Sequence, residues 1–342
     1  MMAINPVHIE RSAAAETQLP FYVFPRAGTE FLRVIAIFLI TNSHLASLYP
    51  IPQFATGGAL GNSLFFMLSG YGLAVSGRNR NLPFLNWYWR RIVRIYPSLL
   101  PIIAIYFIFD RSWEKWTWID YIAGFIWPTS AWFVSALMIF YIIFFILSKL
   151  TLAKGYLIGM LLLGIVYLYF YLTSVDLSHY TVEGPSRFKW IFYLQVMLFG
   201  GHLASRRTLI GEGSIRHFAC LVGLLAAYFI CGFLLSRGYI GRYQFLMHVI
   251  TFPMIYLALI LSHSRFIAER IMSNKMLASC IFFVSGITLE IYLLQYMVYT
   301  NIVVTSLLFP LNVVLFWIAV IVLAFILARF AASIRKTMMQ VN

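Results

Sequence analysis

Runs of about twenty apolar residues recur along this 342-residue chain, separated by short charged segments. A run of that length matches the roughly 30 Å hydrocarbon core of a bilayer at about 1.5 Å per helical residue. In lipid each backbone N–H and C=O must find its partner inside the segment, so an uninterrupted apolar run of this kind is a helix. The chain is therefore expected to be all-α, a polytopic bundle of transmembrane helices. Composition bears this out: 11% of residues are charged and 62% hydrophobic, against about a quarter charged in a soluble domain.

Charged boundaries mark about ten spans, near residues 30–49, 62–76, 94–110, 132–150, 155–173, 190–205, 218–236, 243–262, one from 277, and 311–330. Residues 119–131 are apolar but too short to cross, and Pro128 interrupts them, so they read as interfacial or re-entrant. Residues 277–309 read as either one long tilted helix or a broken one. With the N-terminus in the cytoplasm, 18 of the 25 Lys and Arg fall in cytoplasmic segments, six in the opposite loops, and Arg33 inside the first span. This positive-inside bias puts both termini in the cytoplasm and accounts for the net charge of +14 without nucleic acid.

Residues 1–25 then form a cytoplasmic segment, 26–330 the membrane domain and 331–342 a cytoplasmic tail. The first 25 residues show no cleavable signal pattern, so the first apolar run is expected to act as an uncleaved anchor. Cys220, Cys231 and Cys280 sit in apolar segments without metal-ligand spacing, and read as small apolar side chains. No metal site is expected.

Ionisable groups in lipid are costly and need a reason. Arg33 and His44 stand 11 positions apart, about 1,100° around a helix, which places them on one face with His44 about 16 Å farther from the cytoplasm. Arg33 can snorkel to the interface. His44 is too short to do so and should face the bundle interior or a water-filled cavity. An imidazole kept neutral by burial is available as a base; the alternative is a simple hydrogen bond to a neighbouring helix. Glu30, three residues before Arg33, is a helical neighbour of opposite sign.

Three further stretches carry polar chemistry. Ser69 and Gly70 close the run from Ser63, where small residues ordinarily mean close helix packing; the pattern of a nucleophile elbow is missing. Arg91 and Arg94 are helix neighbours on the expected cytoplasmic side, suited to a phosphorylated ligand or to ordinary positive-inside anchoring. Glu290 lies inside an apolar run and requires a partner, whether functional or structural.

Taken in order, these features resemble the membrane-bound acyltransferase-3 family over residues 26–330. The matching motifs are Arg33 and His44 with ten residues between them, the aromatic-rich run ending Ser69-Gly70-Tyr71, Arg91 to Arg94 closing in Tyr96-Pro97, and Thr288 to Gln295. The last departs from the family pattern, having Gln295 where the family has His.

The resemblance implies an O-acyltransferase that moves an acyl group, often acetyl, from a cytoplasmic acyl-CoA to a hydroxyl of a carbohydrate or lipid-linked glycan. Acyl-CoA is then a co-substrate, with no bound cofactor, and the setting implied is a bacterial inner membrane. The resemblance assigns His44 as base or transient acyl carrier and Arg33 as donor-orienting or oxyanion-stabilising. Arg91 and Arg94 would hold the donor phosphates, with Glu30, Ser69, Trp132, Glu290 and Tyr292 in support or lining the path. A secondary transporter or a polysaccharide-export component is the competing class, although no repeated pattern of broken segments marks corresponding halves.

Overall fold

A computed structural model describes residues 26–77, 82–110, 117–126, 131–150, 152–178, 180–184, 187–206 and 213–340. Among these residues the long elements are all helices. They are α1 (Arg26–Asn42), α2 (Gly58–Gly77), α3 (Phe84–Asp110), α4 (Trp118–Ile126), α5 (Trp132–Lys149), α6 (Leu152–Ser174), α7 (Phe188–Ser205), α8 (Ile215–Ser236), α9 (Phe245–Ser262), α10 (Lys275–Gly286), α11 (Thr288–Tyr299) and α12 (Leu311–Gln340). Short single turns of helix occupy some of the connections.

Seven stretches among the described residues are long and apolar enough to cross a membrane, and α10 with α11 makes an eighth. The 17-residue α1 and the more polar α7, which carries Lys189, Gln195 and His202, fall outside that set. The count of ten requires both of them to cross. Residues 277–309 are a broken helix, since α10 and α11 meet at 71°. The nine-residue α4 is only about 13 Å long and cannot span; Pro128 lies outside the described residues.

Two boundaries differ from the expectation. The helix expected from residue 94 begins at Phe84 and runs 27 residues with Pro97 and Pro101 inside it, so Arg90, Arg91 and Arg94 sit on its first turns. The first span, expected to reach residue 49, ends as helix at Asn42, and residues 43–57 fold into turns.

At the centre, α2 crosses α7 at very close range. A Cβ on Gly70 would run into the Met197 carbonyl oxygen, and one on Gly200 into that of Met67. The Gly70 stretch thus has the packing role that small residues ordinarily have in membrane helices. Phe66, Phe192 and Tyr193 fill the space around the crossing, each almost wholly buried. The outer helices show the opposite pattern: Leu161, Ile165 and Leu168 of α6 and Ile230 of α8 point outward, as side chains facing acyl tails do.

Helix ends sort into two groups. The end of α1, the starts of α2 and α5, Lys189 near the start of α7 and the end of α8 line one common cavity. At the other end of the bundle Gly28 of α1 lies against Ser262 and His263 at the close of α9, and Arg26 stands 6.0 Å from the Phe282 ring of α10.

Candidate active site

The sequence Asn42-Ser43-His44 closes α1, because short polar side chains compete with the helix for its backbone groups. The last turn tightens: the N–H of His44 donates to Thr41 O at 3.0 Å and that of Leu45 to Asn42 O at 3.1 Å. The chain then folds back on Asn42. Its Nδ2 donates to the carbonyls of Phe54 (2.8 Å) and Thr56 (3.1 Å), and the Tyr49 hydroxyl donates to its Oδ1 (2.7 Å). From α12, Asn312 donates to Leu48 O at 2.8 Å. Gly57, at φ +96°, takes a left-handed conformation against Leu39 that a side chain would strain. His44 is thus presented from a braced turn rather than from mid-helix.

Two cavities meet at this residue. One, of ≈ 650 Å³, has a polar wall of Ser43, Asn62, Glu183 and Lys189. The other, of ≈ 580 Å³, is rich in aromatic residues and is lined by Leu99, Ile103 and Tyr106 of α3, Tyr299 and Gln295, among others. His44, Trp132 and Tyr292 line both. The His44 ring lies parallel to Tyr299, 6.3 Å between centroids and 5° apart. It is open to the cavities yet surrounded by protein. That enclosure, with the Lys189 ammonium nearby, holds its pKa below the ordinary 6.5, so the neutral imidazole prevails at pH 7. Lys189 stands 4.4 Å from the Trp132 ring.

Sequence reasoning missed the polar cluster that backs the first cavity. Gln244, fully buried, pins the loop before α7: its Oε1 accepts the N–H groups of Thr181 (2.9 Å) and Val182 (3.1 Å), and its Nε2 donates to Asp176 O (2.7 Å). The next residue, Glu183, is held from behind. Tyr193 OH donates to Oε2 at 2.8 Å, and His248 Nε2 lies 2.8 Å from Oε1. His248 Nδ1 is 2.8 Å from the Tyr167 hydroxyl, and its ring stacks on Phe192 at 3.7 Å. One neutral tautomer satisfies the chain: Nε2–H donates to the carboxylate and Nδ1 accepts the Tyr167 hydroxyl. The rule that marks His44, an ionisable group within an apolar run, marks His248 as well. Glu183 gave no such signal, because its loop reads as solvated.

Arg33 is not brought to His44. It donates to Glu30 at 2.8 Å, and Arg26 reaches the other Glu30 oxygen at 3.1 Å. Glu30 is buried, so the pairing noted in the sequence holds a carboxylate inside the bundle. Arg33, Arg91 and Arg94 all act electrostatically on the buried Tyr141 hydroxyl. Arg91 stacks on Trp87 at 4.7 Å, and its buried Nε has no hydrogen-bond partner among the described residues.

Of the remaining candidates, Trp132 and Tyr292 stand at the junction of the cavities. Ser69 lines neither. Glu290 accepts the Ser98 hydroxyl at 2.6 Å, joining α11 to α3 in a buried contact. Gln295, where the resemblance expects His, borders the aromatic cavity, and its buried Oε1 has no hydrogen-bond partner among the described residues.

A family model described as an acyltransferase domain, that of the acyltransferase-3 family, matches residues 26–331. No curated protein and no solved structure matches the chain.

Proposed function

The chain belongs to the acyltransferase-3 family and is a membrane acyltransferase, and from that premise we propose that it moves an acyl group from a cytoplasmic acyl-CoA to a hydroxyl of a carbohydrate or lipid-linked glycan on the far side of an inner membrane. The observation that carries this reading is the position of His44 in the shared wall of two cavities, one bordered by Glu183 and Lys189 and the other by Tyr106, Tyr296 and Tyr299. A transferase must bring a thioester and a hydroxyl to one base while keeping the rest of each substrate apart.

The donor enters at Arg33, Arg91 and Arg94, whose fixed donor geometry suits phosphate oxygens. From Arg91 to Tyr106, α3 rises about 22 Å, and its later turns line the aromatic cavity. The acyl-bearing arm of the donor follows that wall to His44. Both termini are cytoplasmic in this arrangement, and the basic end of α3 faces the cytoplasm.

At the junction the acceptor hydroxyl oxygen attacks the thioester carbonyl carbon while His44 takes its proton. The carbon–sulfur bond then breaks, and CoA leaves as the free thiol after its sulfur takes that proton back from His44. Lys189 supplies positive charge for the oxyanion that forms between these events. The same geometry serves a route in which His44 first accepts the acyl group and the hydroxyl then displaces it. Acetyl is the acyl group favoured by the family resemblance.

The test compares surface glycans, by mass, from cells with the gene deleted and the same cells complemented. Loss of an ester-linked acyl group on deletion, and its return on complementation, is the expected result. Unchanged glycan esters overturn the acceptor class.

A further inference from the structure

Glu183 is built more elaborately than a loop carboxylate requires. Each oxygen already takes one donor from the protein side, Tyr193 on Oε2 and His248 on Oε1, and the group borders the ≈ 650 Å³ cavity shared with His44. An ionised carboxylate offers about four lone-pair sites, so about two remain for a ligand in the cavity that Glu183 borders. Donors that could fill them are hydroxyls or cations. Lys189 on the same cavity wall offsets the attraction of Glu183 for a cation, and Glu183 offsets that of Lys189 for an anion, so neither charge sign is favoured. Trp132 and Tyr292 line the same cavity. A carboxylate acceptor, an ammonium donor and aromatic side chains together complement a neutral ring bearing several hydroxyls.

We propose that Glu183 anchors acceptor hydroxyls, held in place by His248, Tyr167 and Tyr193, and that the acceptor is a neutral polyhydroxylated ring, a sugar residue without carboxylate or free amine at the bound position. The inference rests on the acyl-transfer reading above. Glu183 binds the acceptor, and His248, Tyr167 and Tyr193 are positioning residues acting through it. Gln244 sets the loop from which Glu183 projects.

The experiment uses the full chain in nanodiscs with radiolabelled acetyl-CoA. The acceptor probe is envelope glycan from a deletion strain, freed of its esters by mild base. Glu183→Gln keeps the shape and removes the charge. The KM for glycan is expected to rise about tenfold or more, as loss of a charged hydrogen-bond acceptor implies, while the KM for acetyl-CoA stays within about twofold. Tyr193→Phe removes one donor to Glu183 and shifts the glycan KM in the same direction by less. If Glu183→Gln does not elute as folded protein, the ratio of the two KM values in Tyr193→Phe decides.

An unchanged glycan KM in folded variants overturns the proposal, as does a rise in the acetyl-CoA KM of equal size. Wild-type protein that releases CoA but labels no glycan overturns both the proposal and the glycan acceptor class, leaving only the use of an acyl-CoA donor; an unchanged glycan KM with glycan labelled overturns the proposal alone. Wild-type protein that releases no CoA refutes the acyl-transfer reading and the inference with it.

Discussion

Asn42 touches neither cavity, yet the structure makes it a condition for activity. Its amide ties the end of α1 to Phe54, Thr56 and Tyr49 through three hydrogen bonds of 2.7–3.1 Å, and His44 sits two residues on. At about 1 kcal/mol each, Asn42→Ala forfeits at most about 3 kcal/mol. The two bonds donated by Nδ2 are exposed and water replaces them in part, which reduces the net loss to about 1–2 kcal/mol. The effect on rate is larger than that figure implies, because a base displaced by about 1 Å costs on the order of 100-fold. Asn42→Ala is expected to lower kcat between about 10- and 100-fold with the KM for acyl-CoA little changed. Asn42→Asp should behave alike, because it sets a carboxylate against two carbonyl oxygens. Acyl transfer from labelled acetyl-CoA gives the rate, and thermal unfolding followed by size exclusion gives the stability. A folded Asn42→Ala protein with a wild-type kcat refutes the claim that this brace positions His44.

Other consequences follow from the same geometry. Gly70→Val or Gly200→Val forces a side chain into a facing carbonyl at the α2–α7 crossing and should cost about 1–3 kcal/mol or more, read as lost folded protein; Gly72→Ala, with open space around its Cβ position, should be neutral in the same assay. With a depressed His44 pKa, the base form prevails at neutral pH, so the rate should be flat there and fall only as pH drops below that value. Lys189→Met removes one cause of the depression, so the acid limb of the pH–rate profile moves up toward 6.5 as well as the rate falling. Arg91→Ala combined with Arg94→Ala should raise the KM for acyl-CoA by tenfold or more and weaken its dependence on salt.

The helical architecture was legible because lipid imposes it. Apolar length and charge boundaries located α5, α6 and α9 to within about three residues. Boundaries set by side-chain hydrogen bonds were not legible. Asn42 and Ser43 end α1, so helical arithmetic carried through to His44 placed it on a face that does not exist beyond residue 42. The same arithmetic placed Arg91 beside Arg94 correctly, since both lie within α3. Arg33 acts on the same Tyr141 from another helix, a relation that spacing along one helix cannot report. Trp132 and Tyr292 entered through resemblance and stand at the junction. Glu290 was flagged as needing a partner, and Ser98, 192 residues away, supplies it. The Glu183 and His248 pair spans 65 residues, a contact that no local pattern reports.

The central claim is that His44 is the group at which acyl transfer takes place, as the base on the acceptor hydroxyl. Purified wild-type protein, His44→Ala and His44→Gln, each verified as folded in nanodiscs, can be compared for transfer of label from acetyl-CoA to de-esterified glycan. The account predicts that both substitutions lower the rate by about 100- to 10,000-fold, the range that a lost general base commands, with folded yield unchanged. Folded His44→Ala that transfers label within twofold of wild type contradicts it.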